Sequence, residues 1–368
     1  MSLEPPLRAG RIPALPARRC DHSRTGGWGV PSWSVGVRNV RGWARLAAAL
    51  CLGALATAGL AVPGIAGAAR PVQLSVVTGG TGGVYYVLGG GLASLLTRRL
   101  PGVNAVAEVT SASVDNILLL ADKRAEIAFS LSDTAYLATQ GSGPFQRTGP
   151  VPIRVLTVLY QNFNHLVVRA GSGIRTVADL RGKRVSTGAP GSGTEVTALR
   201  ILRAYGLDPD RDLRRDFLGV AESADALRDG RLDAFFWSGG YPTGAVLDLA
   251  STPGFDIYIV PMGDIVPRLV ERHGPFYSVA TFAAGSYNGD VKQPTPTVGV
   301  PNVLLVHADM DEQLAYSIVR TIYDYKAELV AVHPSAEEIS METGPTSKVA
   351  PYHPGAIRFF RERGAWKE

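Results

Sequence analysis

Apolar residues follow two rhythms in this chain, and from residue 70 onward the two alternate. "VQLSVVT" (72–78) reads as a buried strand. Val84, Val87, Leu88, Gly91, Leu92, Leu95 and Leu96 then recur every three to four residues, which predicts a helix stopped by "LPG". "NAVAEV" predicts a second strand. A helix follows from Ser113 with Val114, Ile117, Leu118 and Ala121 on one face, and "EIAFSLS" predicts a third strand. The order restarts at "KRVSTGA", a strand, after which "PGSGTE" opens a helix carrying Ala198, Ile201, Leu202 and Tyr205. "RRDFLGV", "SADALRDGRL" and "DAFFWSG" continue it as strand, helix and strand. Such alternation builds parallel sheets through right-handed crossovers, so the expected fold is α/β with two lobes in series.

Two longer runs, "IRVLTVLYQNFNHLVVRAG" and "TPTVGVPNVLLVHADM", predict strands that cross between the lobes. They give lobe 1 as residues 69–158 and 297–368, and lobe 2 as residues 159–296. The helices in "DEQLAYSIVRTIYDYKAELVAV" and "GAIRFFRERGAW" would complete lobe 1. Two crossings make a hinge, and hinged lobes close around a ligand in the cleft between them.

Composition sharpens this picture at the amino terminus. Residues 1–68 hold eight arginines against Glu4 and Asp21, although the whole chain carries a formal charge of +5. Without them, 29 of the 37 basic residues and 30 of the 32 acidic residues remain, a net of −1. A nearly neutral body removes the electrostatic motive for binding nucleic acid. "VRNVRGWARLAAALCLGALATAGLAVPGIAGAAR" has a basic start, an apolar stretch and the small-residue pattern Ala66-Gly67-Ala68. It reads as a secretory signal peptide near residues 37–68, making the body an exported, extracytoplasmic protein. A retained membrane anchor is the competing reading, because the apolar stretch nears spanning length. Residues 1–36 are polar and proline-bearing, which fits a start of translation near Val37. Both cysteines, Cys20 and Cys51, lie in this leader, so a cleaved chain has neither a disulfide nor a cysteine nucleophile.

The candidate chemistry lies in the glycine-rich loops. "TGGTGGVYY" (78–86) lacks the lysine of a phosphate loop, and neither it nor "GAPGSGTE" (188–195) matches the dinucleotide pattern G-x-G-x-x-G. Glycines at a helix start serve another purpose. They let a ligand approach free N–H groups that carry partial positive charge, an arrangement suited to a carboxylate. Gly80, Thr81 and Gly82 in one loop, and Gly191, Ser192, Gly193 and Thr194 in the other, would each follow the first strand of a lobe. Three or four hydrogen bonds to a charged group, at about 1.5–3 kcal/mol each, reach micromolar affinity before association costs. The run Gly89-Gly90-Gly91 falls inside a predicted helix and reads as close helix packing.

Other residues have both structural and ligand-facing readings. Trp237 and Tyr241 follow the third strand of lobe 2 and can cover an apolar ligand stem or pack on the sheet. Tyr85 sits in the first helical turn. Ser113 is expected to cap its helix, with Asn116 beside it, and both lie near "TSASVDN" at the cleft edge. No two histidines share a helix face at ligand spacing, so no metal site and no cofactor are expected.

At this level of detail the sequence resembles the TAXI family of solute receptors. The resemblance rests on "TGGTGGVYYVLGGGLASLL", "GKRVSTGAPGSGTEVTALRIL", "DGRLDAFFWSGGYPTGAV" and "YHPGAIRFFRERG", and spans about Val72 to Gly364. It implies a type II periplasmic-binding-protein fold without catalysis. It also implies capture of a small organic acid or amino acid, typically glutamate or glutamine, for a membrane permease of the tripartite ATP-independent periplasmic (TRAP) type. Carried onto this chain, the family motifs point to Gly80, Thr81 and Tyr85, to Pro190 through Thr194, and to Gly240, Tyr241 and Thr243. The family's proline and glutamate in the crossing strand are replaced by Gln161 and Asn162, while His165 is kept. One negative charge is thereby removed near the hinge. The pair Phe236-Trp237 is bulkier than the common pattern. Two other functions remain open to the sequence: a sensory binding protein read by a membrane kinase, and an exported hydrolase using Ser192.

Overall fold

The computed structural model describes residues 71–367, so the expected signal segment and both cysteines lie outside the described residues. Three short parallel strands open the chain. They are β1 (Val72–Val77), β2 (Val103–Glu108) and β3 (Ile127–Leu131), separated by α1 (Val84–Arg99) and α2 (Ser113–Ala121). Helix α3 (Ser132–Thr139) follows β3 directly. Helix α1 carries Arg98 and Arg99 in its last turn, where the negative end of the helix dipole favours cations. Of the apolar rhythm read from the sequence, Val84, Leu88, Leu92, Leu95 and Leu96 form the buried stripe, whereas Val87 is exposed.

The first long run is β4 (Ile153–Arg169), 17 residues that extend for about 55 Å. The second α/β unit then contains β5 (Arg184–Ser186), α4 (Gly193–Ala204), β6 (Arg214–Asp216), α5 (Val220–Arg228), β7 (Ala234–Gly239) and α6 (Gly244–Ala250). After β8 (Ile257–Ile259), α7 (Val266–His273) and β9 (Ser278–Phe282), the chain returns along β10 (Thr295–His307). Helices α8 (Glu312–Asp324), α9 (Lys326–Val332) and α10 (Pro354–Glu362) end it.

The strand order β2-β1-β3-β10-β4-β7-β5-β6 explains how two lobes share one sheet. β10 pairs antiparallel with β3 over residues 302–305 and with β4 along most of its length. β4 then continues past β10 to pair antiparallel with β7 over residues 163–168. Each lobe is therefore a parallel trio closed by one antiparallel strand, and β4 and β10 run through both. Phe359 and Phe360 of α10 are fully buried, and Val155 of β4 donates its N–H to Pro351 O, just before α10.

Glycine packing inside α1 is divided. A Cβ added at Gly89 would lie 2.3 Å from Thr78 Cγ2, and one at Gly91 would lie 2.9 Å from Val332 of α9. Gly90 faces open space, so packing accounts for two of the three glycines. Among the described residues no helix is long and apolar enough to cross a membrane.

Candidate functional site

The loops that follow β1, β2, β5 and β6, together with the end of β7, converge on one cleft of about 370 Å³. It is lined by Gly79, Gly80 and Gly83, by residues 110–113, by residues 192–194, by residues 217–220 with Glu222, and by residues 237–240. That is the carboxyl edge of both parallel trios, where open α/β sheets bind ligands. The starts of α1, α2, α4 and α5 all border it. Helix starts supply partial positive charge without any basic side chain, and among the described residues no lysine, arginine or histidine lines the cleft.

The glycine loops also join the lobes. Gly191 O, beside α4, accepts from Val114 N at 3.1 Å and Asp115 N at 3.2 Å, at the start of α2 in the other lobe. Reciprocally, Gly82 O accepts from Ala245 N of α6 at 3.3 Å. Each loop thus satisfies helix-start donors across the cleft that would otherwise need water. The close approach excludes side chains. A Cβ at Gly193 would lie 2.6 Å from Ser113 Oγ, and one at Gly82 would lie 2.9 Å from Ala245 Cβ. Gly191 additionally sits at φ +79, a conformation costly for any L-residue with a Cβ.

A buried polar cluster also joins the lobes. Asp133, at the start of α3, is fully buried and accepts from Thr197 Oγ1 at 3.2 Å, Arg200 Nη1 at 3.1 Å and Tyr277 Oη at 2.7 Å. Burial, reinforced by the Asp133 charge, pushes the Tyr277 hydroxyl well above its ordinary pKa, so it remains a donor.

The residues singled out from the sequence fall into three groups. Gly80, Tyr85, Ser113, Ser192, Gly193, Thr194, Trp237 and Gly240 line the cleft. Gly82, Pro190 and Gly191 flank it in the loops, and Thr81 is exposed beside it. Asn116, Asn162, His165, Tyr241 and Thr243 are not among the lining residues. Asn116 donates to Thr78 O at 2.7 Å and Phe129 O at 2.8 Å, tying α2 to β1 and β3. Tyr241 bonds Ser286 and packs in an aromatic cluster with Phe163, Phe282 and Tyr287. Thr243 accepts from Trp237 Nε1 at 2.9 Å and donates to Gly240 O at 2.7 Å, so it positions the tryptophan that does reach the cleft. Asn162 Oδ1 accepts from Asn302, whose own oxygen accepts from the Tyr85 hydroxyl, which forms a polar floor behind the tyrosine.

One expected role is corrected. Ser113 does not cap α2. Ala112 holds the cap position at φ +90, and Ser113 Oγ instead accepts from Leu131 N at 3.1 Å. Ser192 is the residue that caps, accepting from Glu195 N at 3.1 Å. The loop of residues 217–222 and Ser238 were missed by the sequence reading. Ser238 Oγ lies buried on the cleft wall without a hydrogen-bond partner among the described residues. The rule that ligands gather at the ends of parallel strands would have directed attention to "FLGVAE" after β6.

His165 is internal. Its Nδ1–H donates to Phe163 O at 2.9 Å, and its Nε2 accepts from Tyr287 Oη at 2.6 Å. Desolvation lowers its pKa to about 4, so the ring is neutral in the folded protein. Because the unfolded chain protonates near 6.5, the folded state should be fully favoured above that pH. The contribution is lost as pH falls toward 4, by up to about 3 kcal/mol. Urea midpoints between pH 7.5 and 4.5 should fall more steeply for the native chain than for His165→Gln; equal slopes would refute this assignment.

Two lobes, each a parallel trio closed by an antiparallel strand, with the starts of four helices around one central cleft, define the type II periplasmic-binding-protein fold. The NMT1-like family model matches residues 76–364, and the chain belongs to that family. Solved structures similar to it include the periplasmic aliphatic sulphonate binding protein of Escherichia coli, at 17% identity and TM-score 0.42, covering 80% of this chain and 90% of that one. Another is an ancestral arginine-binding protein bound to arginine, at 14% identity and TM-score 0.44, covering 73% of this chain and 99% of that one. A third is the substrate binding protein of an amino acid ABC transporter, at 13% identity and TM-score 0.42, covering 72% and 98%.

Proposed function

We propose that this protein is an extracytoplasmic receptor that closes on a small carboxylate and delivers it to a membrane permease. The observation that carries the reading is the convergence of four helix starts on one small cleft with no basic side chain among its described lining residues. Gly80, Gly83, Gly193, Thr194 and Ser238 are the groups that would meet the acid. Lobe 1 (69–158 and 297–368) and lobe 2 (159–296) would rotate about β4 and β10. A cleft of about 370 Å³ is at the small end of ligand sites, which run from about 300 to 1,000 Å³, and suits a metabolite-sized ligand. Ser192, the one serine considered as a nucleophile, has its oxygen committed to the α4 cap, which favours binding over hydrolysis.

The motif resemblance to the TAXI receptors supports a TRAP-type permease as the partner. Thermal-shift screening of the exported body against amino acids, keto acids and dicarboxylates tests the receptor itself. Ligand at about 100 times its Kd should stabilise the fold by about 2.7 kcal/mol, several degrees in Tm. A well-folded protein that shifts with no carboxylate would overturn the reading. Uptake in cells should follow the ion gradient; uptake that persists without a gradient and stops on ATP depletion would assign the partner to another class.

A further inference from the structure

A short helical turn near the carboxy terminus, Pro334–Glu338, follows α9 and holds the loop after β7. His333 Nε2–H donates to Pro242 O at 3.0 Å, and Ser335 Oγ donates to Tyr241 O at 3.2 Å. Glu338 Oε2 anchors the far end of the turn by accepting from Gln161 N of β4 at 2.9 Å. The preceding carbonyl of the loop, Gly240 O, accepts from Thr243 Oγ1, which in turn receives the Trp237 indole N–H. Three successive carbonyls, at residues 240–242, are thereby fixed in the loop from which Trp237 and Gly240 line the cleft. A Cβ added at Gly240 would lie 2.8 Å from Ser335 Oγ, so the turn is in contact with the cleft wall itself.

These bonds require a neutral His333. Pro242 O can only accept, so Nε2 carries the ring hydrogen, and Nδ1 accepts from Ser335 N at 3.1 Å to cap the turn. A second proton has to enter at Nδ1, where it meets a backbone N–H in place of an acceptor, so the cap breaks and the ring must turn. His353 makes the same pair of bonds, from Gly355 N at 3.2 Å and to Met310 O at 2.9 Å, but its partners lie outside the cleft loops. The charged or titratable groups on the segments around His333 are Lys326 and Glu328 of α9, Glu337 and Glu338 of the turn, Tyr160 and His165 of β4, and Tyr241. Among the described residues none of them bonds to the ring, and its partial burial lowers its pKa. The neutral form is therefore complete above the unfolded histidine value of about 6.5 and is lost as pH falls through the lower folded value. We propose that residues 333–338 are a pH-operated strap, which pins the loop of residues 240–243 at neutral pH and releases it, with the wall carrying Trp237, when His333 takes up a proton. This goes beyond the receptor reading and can be tested without a ligand.

The test is NMR of the ligand-free protein between pH 8 and pH 5, following the histidine rings and the tryptophan indole N–H groups. Loss of a resonance in Trp237→Phe and in His333→Asn assigns the two reporters. The Trp237 indole should hold its position at neutral pH and then shift with the midpoint of the His333 ring, below 6.5. His333→Asn supplies another cap acceptor for Ser335 N but no titrating group, so its Trp237 resonance should stay fixed across the range. His353→Asn should keep the parent's shift, as should Glu338→Gln, which removes the second titrating group of the strap, raised by its burial. His165, with a pKa of about 4, titrates below this range. A Trp237 resonance that moves equally in His333→Asn, or stays fixed while the His333 ring titrates, would overturn the proposal. So would a His333 midpoint at or above 6.5. If amide dispersion shows that His333→Asn has not folded, agreement or disagreement of the two midpoints in the parent still decides.

Discussion

Replacing Gly193 by valine is expected to weaken carboxylate binding by about 100-fold or more while leaving the lobes folded. Gly193 is the first residue of α4, and its side-chain direction points at the opposite lobe. An added Cβ would lie 2.6 Å from Ser113 Oγ and 2.7 Å from Leu131 Cδ1. Ordinary carbon contacts begin near 3.5 Å, so the lobes would have to part by about 1 Å at this point. That separation breaks the bonds from Val114 N and Asp115 N to Gly191 O, each contributing about 0.5–1.5 kcal/mol. With lost packing, a destabilisation of the closed form by about 3 kcal/mol raises the apparent Kd by about 100-fold. Calorimetry with the acid found by thermal-shift screening, alongside far-ultraviolet circular dichroism, checks this. Gly90→Ala is the control: its Cβ meets nothing within 4 Å, so affinity should hold and stability rise by up to about 1 kcal/mol. An affinity for Gly193→Val within threefold of the parent would show that the two loops need not meet for binding.

The second large effect is expected at Asp133. Asp133→Asn removes the charge opposite Arg200, whose side chain is only 11% exposed, and places an amide donor among three donors. Breaking a buried ion pair by removing one partner costs about 3–5 kcal/mol, because the remaining charge is left uncompensated. Since Arg200 keeps a little solvent, about 3 kcal/mol is the expected loss, or roughly 6 °C in Tm for a chain of this size. The double variant Asp133→Asn with Arg200→Met should recover part of that loss, since the stranded guanidinium is gone. Thermal melts of the four combinations measure both effects. A single variant that melts within about 1 °C of the parent would show that the pair is not coupled to the stability of the fold.

The order of elements was largely legible in the sequence. β1, α1, β2, α2 and β3 arise where apolar runs and helical periodicities place them, although Val87 is exposed and α2 buries Asn116 and Leu120 in place of Leu118 and Ala121, and both long strands, β4 and β10, stand out by length. Local pattern determines these features because a strand or helix buries a face fixed by its own period. The glycine loops were equally visible, and they do border the cleft.

Their surroundings were not visible. Glycine was read as room for a ligand, yet Gly82, Gly191 and Gly193 also meet residues of the opposite lobe, and of the glycines in these two loops Gly80 alone opens onto free space among the described residues. Asn116 became a candidate through its place beside "TSASVDN" and His165 through the family resemblance, but which way each side chain turns depends on partners more than ten residues distant. What the chain alone determined is the sequence of strands, helices and glycine turns, because these follow from local period and backbone freedom. Which polar groups remain available in the cleft was decided only when β4 and β10 brought the two lobes together, because satisfying a buried donor or acceptor depends on everything that surrounds it.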